Sequence, residues 1–206
     1  MAYTSRTISN FLRSRRIHVN ETDSMSTPYP HKHSGPVLVC GNAWCLHEDL
    51  AAARKILGDV PVLAVNGASR EVKAIALYSC HPHRFVEKGS EWIRHQRRLF
   101  GDGFTVHSSN KPKHGDLPYV EYWWTIPGGG GSAWGARKIA KLMGFTTVVL
   151  CGCPLLPMNY ASDKLGMNMT KPEIVGQYAS EIALDTDWHE GAYSMSGKTK
   201  DILGAC

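Results

Sequence analysis

The chain has 206 residues, 43% of them hydrophobic and 20% charged, and a formal net charge of +5. This length fits one domain with a substantial core, and the composition is that of an ordinary globular protein. The mild basic balance, with a pI near 8.9, suits an anionic ligand such as a nucleotide but is too weak to indicate nucleic-acid binding by itself. No apolar stretch is long enough to span a membrane.

The first 35 residues are predicted to form a flexible basic tail in front of one domain over 36–206. Residues 1–20 lack the apolar core of a secretory signal. They are rich in Arg and Ser, as a transit peptide also is, and we interpret them as a basic tail or a short leading helix. The stretch 21–35 has the proline and glycine content of a linker. The six cysteines do not include two pairs at zinc-ribbon spacing, so we expect a reduced, cytoplasmic protein without a metal.

Short apolar runs alternate along the chain with segments of helical periodicity. In chain order the patterns predict strands at 37–40, 61–65, 73–79, 104–108, 117–126 and 146–150. They predict helices at 46–57, 85–100 and 132–143, and a last helix with Ser196 as its N-cap. Trp123 and Trp124 are interpreted as core or edge-strand packing. This alternation predicts an α/β fold, a Rossmann-like, mostly parallel sheet with helices on both faces.

Glycines and polar residues cluster at the ends of the predicted strands. Ligands of open α/β sheets bind beyond the carboxyl ends of the strands, near the point where the strand order reverses. We therefore expect a binding site at this edge of the sheet. The positions are Gly41 with Asn42, Asn66 with Gly67, His81 with Pro82, the turn at 128–132, and Gly152 with Cys153.

Four glycines at 128–131 run directly into a predicted helix. Glycine lets backbone N–H groups approach a ligand closely, and a helix N-terminus favours an anion. With Ser132 as N-cap, and with Arg137 and Lys138 nearby, the run predicts either a phosphate or carboxylate cradle or a loose turn capped by serine. The run is not a dinucleotide fingerprint, because Ala133 stands where a third spaced glycine would have to be.

Two histidines are candidate site residues. His81 lies at a strand end, and we interpret it as a ligand contact rather than as a metal ligand beside Cys80. His189 has three carboxylates close in sequence and is a candidate general base, with an exposed loop histidine as the alternative. The Gly-Lys-Thr triplet around Lys198 is not a P-loop, because Ala192 stands where that motif requires glycine. Lys198 remains a candidate anion contact.

The segments "VLVCGNAWCL", "VLAVNGA", "LYSCHPHRF", "GGSAWGARKIAKLMGFTTVVLCGCPLL" and "YSMSGKTKDILG" together carry a resemblance over about 37–204. They look like an uncharacterised family of small phage-encoded proteins. More distantly, the order of motifs is similar to bacterial sialyltransferases of the Campylobacter type. Those enzymes share a Rossmann-like fold with archaeal pterin-diphosphokinase-like proteins. In them, asparagines after the first three strands and a serine before a helix surround the cytidine monophosphate of the donor.

The resemblance implies a nucleotide-binding set in this chain. Asn42 and Asn66 fall on the first two asparagines, and His81 replaces the third. Ser132 matches the serine, while Ala133 replaces the glycine that follows it. The glycines that the resemblance brings to the same pocket are Gly41, Gly130, Gly131 and Gly152.

The catalytic histidine of those sialyltransferases is not matched, because Ser196 stands at its place. His189 and Tyr193 lie upstream and could substitute if the loop folds back. We therefore hypothesise a phage glycosyltransferase-like protein that uses a nucleotide-sugar donor without a metal and needs no further cofactor. The alternative is a non-catalytic nucleotide-binding module, which sequesters a signal or assists DNA modification. DNA is one candidate acceptor, no membrane partner is expected, and a homo-oligomer stays open.

Overall fold

A computed structural model describes residues 29–88, 91–109, 115, 117–156 and 172–206. Of the tail predicted over 1–35, residues 1–28 lie outside the described residues. The strands are β1 Pro36–Cys40, β2 Val62–Val65, β3 Ala76–Ser79, β4 Thr105–Ser109, β5 Tyr122–Trp124, β6 Thr147–Cys151 and β7 Ala192–Ser194. The α-helices are α1 Leu46–Leu57, α2 Trp92–Phe100, α3 Gly131–Leu142, α4 Pro172–Leu184 and α5 Gly197–Leu203. Short 3-10 helices cover Asn66–Arg70, Pro82–Phe85 and Thr186–Trp188.

The strands form one sheet in the order β5-β4-β3-β2-β1-β6-β7. Every pairing between them is parallel, and Leu38 of β1 lies between Val62 of β2 and Val149 of β6. The expectation of an α/β, Rossmann-like parallel sheet is confirmed. The strand order reverses between β1 and β6, so the topological switch point lies beyond the carboxyl ends of these two strands.

Alternate residues of the central strand face two different cores, because side chains in a strand point to opposite faces in turn. Leu38 and Cys40 belong to the core that α1 and α2 cover. Val37 and Val39 belong to the core that α3 covers. All four residues are fully buried, which is why β1 consists almost wholly of apolar residues rather than alternating with polar ones.

Two predicted elements are shorter in the structure than in the prediction, and two further elements were not predicted. The apolar run over 117–126 forms a strand only at Tyr122–Trp124. Residues 117–120 form a turn instead, in which the Val120 N–H donates to the Leu117 carbonyl at 2.9 Å. The helix predicted from residue 85 begins at Trp92, after the 3-10 helix Pro82–Phe85. Helix α4 and strand β7 were not predicted; β7 is a three-residue edge strand, too short for a clear period of two.

Residues 29–35, within the stretch interpreted as a linker, pack on the domain. The Tyr29 ring lies 4.9 Å from the Tyr122 ring and 5.6 Å from the His107 ring. The His33 ring stacks on Phe145 at 4.5 Å, and the His33 N–H donates to the Met143 carbonyl at 2.9 Å. This segment therefore packs on β4 and β5 and on the turn that follows α3.

His107 of β4 is a fully buried, neutral histidine. Its Nδ1 accepts a hydrogen bond from Trp124 Nε1 at 2.9 Å, and its Nε2 lies 2.7 Å from Thr105 Oγ1. Because Nδ1 is an acceptor, Nε2 carries the proton and donates to Thr105. Burial lowers the pKa of His107 to about 3.

This depressed pKa predicts a pH-dependent loss of stability. The unfolded chain takes up a proton near pH 6.5, while the folded chain does not until about pH 3, so His107 removes stability as the pH falls between these values. The loss is about 1.4 kcal/mol per pH unit at its steepest. We expect His107→Asn, which keeps an acceptor for Trp124, to lose less stability than wild type between pH 7 and pH 4.5 in urea titrations. A His107 NMR signal that titrates near pH 6.5 would contradict the assignment.

Candidate functional site

Two asparagines meet at the carboxyl ends of β1 and β2. Asn42 Nδ2 lies so close to Gly67 that a Cβ on this glycine would approach it to 2.7 Å. Asn66 has a left-handed backbone with a φ of 53°, which asparagine tolerates better than most residues do. Its Oδ1 accepts a hydrogen bond from Ser79 Oγ at 2.7 Å, at the end of β3. These contacts hold both amides at one edge of the sheet.

The end of β3 joins this edge to the N-terminus of α3. Ser79 Oγ accepts a hydrogen bond from the His81 N–H at 2.9 Å, and the His81 side chain is exposed. Cys80 Sγ lies 2.6 Å from Ser132 Oγ, in the first turn of α3. We call Asn42, Asn66, Cys80, His81 and Ser132 the edge site. It presents amide, imidazole, thiol and hydroxyl groups, all of which can bind a polar ligand.

Ser132 does not have the capping role that was predicted for it. Gly130 is the N-cap of α3, with a φ of 84° that a residue with a Cβ rarely adopts. Helix α3 therefore begins one residue earlier than predicted, at Gly131. The Ser132 hydroxyl is directed to Cys80 instead. Its part in the edge site does not depend on capping.

Helix α4 packs on the turn formed by the four glycines. The Gly130 N–H donates to Glu181 Oε2 at 2.5 Å, and a Cβ on Gly129 would overlap the same carboxylate. A Cβ on Gly131 would lie 2.9 Å from the Tyr178 ring. An added Cβ would meet side chains of α4 at Gly129 and Gly131, and the Trp134 ring of α3 at Gly130. The turn does cradle an anion, but that anion is the protein's own Glu181 carboxylate.

An ion pair between a buried lysine and a partly exposed aspartate holds the same turn. Lys138 Nζ lies 2.5 Å from Asp185 Oδ2 and donates to the Pro127 carbonyl at 2.6 Å. Asp185 Oδ2 also accepts a hydrogen bond from Trp134 Nε1 at 2.7 Å. Burial lowers the pKa of Lys138, and the hydrogen bond that Lys138 donates to Asp185 opposes that shift. Lys138 is thus a structural cation at the end of α4, not a group open to a ligand.

Arg137 is buried on the side of α3 that faces residues 186–190. Its Nη2 donates to the Glu190 carbonyl at 2.5 Å, and its guanidinium lies 5.6 Å from the centre of the Trp134 ring. Only 1% of Arg137 is exposed. Burial lowers its pKa to about 10, against the attraction of Asp185 and Glu190. Arg137 therefore lies away from the edge site.

The loops at the switch point are fastened to each other. A Cβ on Gly41 would come within 2.6 Å of the Gly152 carbonyl oxygen. The Gly152 N–H donates to Asp49 Oδ2 at 2.8 Å, and Ser196 Oγ donates to the same oxygen at 2.6 Å. Asp49 lies in the first turn of α1, so one buried carboxylate joins α1 to the turns after β6 and β7.

The three catalytic candidates lie in different places. Ser196 follows β7 at the carboxyl edge and is bonded to Asp49. Tyr193 lies inside β7, half-buried against the core. His189 precedes β7; its Nε2 is 2.7 Å from the Ile182 carbonyl oxygen and its ring packs edge-on against Trp134. Lys198 lies in α5 with an exposed side chain, and its N–H donates to the Pro154 carbonyl at 2.9 Å.

Within the part of the chain that the structure describes, no three His, Cys, Asp or Glu side chains are grouped so that they could hold a metal ion. Over the same residues, no helix has both the length and the apolar character needed to cross a membrane.

Several contacts of this region could not be predicted from the sequence. Ser79, Asp49 and Glu181 connect elements far apart in the chain, and nothing in their local sequence distinguishes them from surface polar residues. Cys80 was considered only as a metal ligand, and the structure pairs it with Ser132. The position of Cys80 directly after a buried strand could have placed it at the edge.

Comparison with known proteins shows the class of fold. No protein-family model and no curated protein matches the chain. Among solved structures, the fold is similar to that of the MAf glycosyltransferase from Magnetospirillum magneticum AMB-1, with a TM-score of 0.51 and 16% sequence identity. The match covers 84% of this chain and 34% of that protein, so the chain spans about a third of its length. At this identity the likeness shows a shared Rossmann-like fold.

Proposed function

We propose that the edge site binds the nucleotide of a nucleotide-sugar donor and that the protein is glycosyltransferase-like. The observation that carries this proposal is a chain of contacts along the carboxyl edge of a parallel sheet: Asn42 approaches Gly67, Asn66 is bonded to Ser79, and Ser132 lies beside Cys80. The glycosyltransferase of similar fold supports the reaction class. The resemblance to Campylobacter-type sialyltransferases supports a donor used without a metal, and that to phage-encoded proteins supports a phage origin.

The candidate residues have two proposed roles, in binding the donor and in the transfer reaction. The amides of Asn42 and Asn66 would bind the base and ribose, while Ser132 and exposed Lys198 would bind phosphate oxygens. Transfer would break the bond from the sugar's anomeric carbon to a phosphate oxygen and form one to an acceptor hydroxyl, whose proton would pass through the Ser196 hydroxyl to the Asp49 carboxylate. Of the three catalytic candidates, Ser196 is supported best, because it shares the carboxyl edge and is bonded to the Asp49 carboxylate. The released product is the nucleotide.

The alternative is a binding module that holds a nucleotide without turning it over. It is favoured by His189, the candidate base, whose Nε2 is engaged by the Ile182 carbonyl. Incubation with CMP- or UDP-sugars, followed by chromatography of the nucleotides, separates the two functions. A transferase releases nucleoside monophosphate or diphosphate, and the amount falls in Ser196→Ala. A binding module returns the donor intact.

Alanine substitutions at Asn42 and Ser132 should weaken nucleotide binding. Each removes a hydrogen-bonding group from the edge site, so we expect a loss of about 1–3 kcal/mol, or roughly 5- to 150-fold in Kd. Isothermal titration calorimetry with CMP and UMP measures this loss. Ser180→Ala is a matched control, because its exposed hydroxyl bonds to the Gly176 carbonyl within α4. Unchanged affinity in both edge-site variants would contradict the assignment of the site.

A further inference from the structure

One tryptophan is placed differently from the rest. The chain has six tryptophans, and four of them are at most 6% exposed, including both Trp123 and Trp124. Trp188 is half-buried, with the cations of Arg137, Lys138 and Lys141 within 6 Å of its ring. Trp44 is 48% exposed. Nearly half of the Trp44 surface is therefore accessible to solvent and to a ligand.

Trp44 lies in the loop that follows β1, beside the topological switch point. Two residues before it, Asn42 reaches towards Gly67 after β2. One residue after it, Cys45 Sγ lies 3.3 Å from Ser196 Oγ after β7. The loop thus extends from the edge site on one side to the Ser196 region on the other. Among the large apolar side chains that the structure describes as exposed, Trp44 is the aromatic one.

The loop that carries Trp44 is held by backbone hydrogen bonds on both sides. The Gly41 N–H donates to the Cys151 carbonyl at 2.8 Å, and the Ala43 N–H donates to the Gly152 carbonyl at 3.1 Å. The Leu46 N–H then donates to the Ala43 carbonyl at 2.9 Å. A planar ring on a fixed loop has little conformational entropy to lose when a flat ligand packs on it.

We propose that Trp44 is the platform on which the nucleobase of the bound nucleotide stacks. The inference rests on the proposed function, because it assigns the base-binding surface of the same site. Every nucleobase offers an aromatic face to an indole, so Trp44 contributes affinity with little preference among bases. Discrimination between bases then falls to the neighbouring amides of Asn42 and Asn66.

The test compares Trp44→Ala, Trp44→Phe and wild type by titration with CMP, UMP and ribose 5-phosphate. We expect Trp44→Ala to weaken CMP and UMP at least 10-fold and Trp44→Phe to weaken them less than 3-fold. Ribose 5-phosphate, which has no base, should bind all three proteins equally. Ile56→Ala is the control, because it removes another exposed apolar side chain at the far end of α1 and should change nothing.

The outcomes separate this inference from the proposed function. If wild type binds CMP or UMP and Trp44→Ala binds them equally well, the stacking role is overturned and the edge site survives. If Trp44→Ala weakens a nucleotide-sugar but not the free nucleotide, the indole packs on the sugar and the inference is overturned. If wild type binds no nucleotide, both proposals fail. Circular dichroism and melting temperature should match between the variants, since Trp44 contributes little to the core.

Discussion

Replacing Asp185 by alanine should destabilise the protein by about 3 kcal/mol. The substitution leaves the Lys138 ammonium, whose side chain is 1% exposed, without its carboxylate, and an uncompensated buried charge is costly. Trp134 Nε1 loses its acceptor at the same time. Urea unfolding at pH 7 measures the change in the free energy of unfolding. Asp187→Ala is the matched control, because it removes an exposed carboxylate two residues away and should stay within about 0.5 kcal/mol.

The pH dependence of the stability of Asp185→Ala shows whether the Lys138 charge causes the loss. Burial lowers the pKa of Lys138 in the folded protein, so the unfolded chain holds its proton to higher pH than the folded one. Stability therefore rises with pH towards the ordinary lysine pKa of 10.5. Without Asp185 the pKa of Lys138 is lowered further. The difference in free energy of unfolding between variant and wild type should therefore narrow from pH 7 to pH 10. A gap that stays constant would show that the cost comes from lost packing instead.

Replacing Gly131 by alanine should destabilise the protein by about 2 kcal/mol or more. Its φ of 74° is unfavourable for a residue with a Cβ, and that Cβ would lie 2.9 Å from the Tyr178 ring. Gly176→Ala is the control, because this glycine lies inside α4 with nothing within 4 Å of an added Cβ. There alanine should stabilise the helix by about 0.5–1 kcal/mol. Equal effects at both positions would contradict the seating of α4 on the glycine turn.

Tyr178→Ala in the Gly131→Ala background checks the cause. If the added methyl group collides with the Tyr178 ring, removing the ring relieves part of the loss, and the two effects are not additive. Full additivity would assign the whole cost to the backbone at Gly131.

The parts of the fold that could be predicted are those set by local sequence pattern. Helix α1 runs over the predicted residues, because Leu46, Leu50 and Ala53 recur at helical spacing and face one core. Strands β1, β2 and β6 were predicted to within one residue, because each is a short apolar run buried on both faces. The parallel sheet is predicted by the alternation of these strands with helices. A parallel sheet places all carboxyl ends at one edge, so the shared edge of Asn42 and Asn66 was also predictable.

The role of the glycine turn could not be predicted, because it depends on contacts with a distant helix. Glu181 and Tyr178 are 51 and 47 residues further along the chain than the glycines they contact. From sequence, a cradle for a ligand anion and a seat for a carboxylate of the protein look the same, because both need exposed N–H groups and no Cβ. Ser132 looked like an N-cap for a similar reason, since its alternative role depends on Cys80, 52 residues earlier.

The central claim is a nucleotide site at the edge that carries Asn42, Asn66 and Ser132. A thermal-shift titration tests this claim most directly. The panel holds CMP, UMP, their sugar conjugates, NAD, S-adenosylmethionine and cyclic nucleotides, with wild type and Ser132→Ala measured side by side. A ligand that binds only the folded state raises the melting temperature by mass action. We predict a rise with CMP- or UDP-sugars in wild type that shrinks in Ser132→Ala. No shift with any nucleotide, or equal shifts in both proteins, would contradict the assignment of this edge as the nucleotide site.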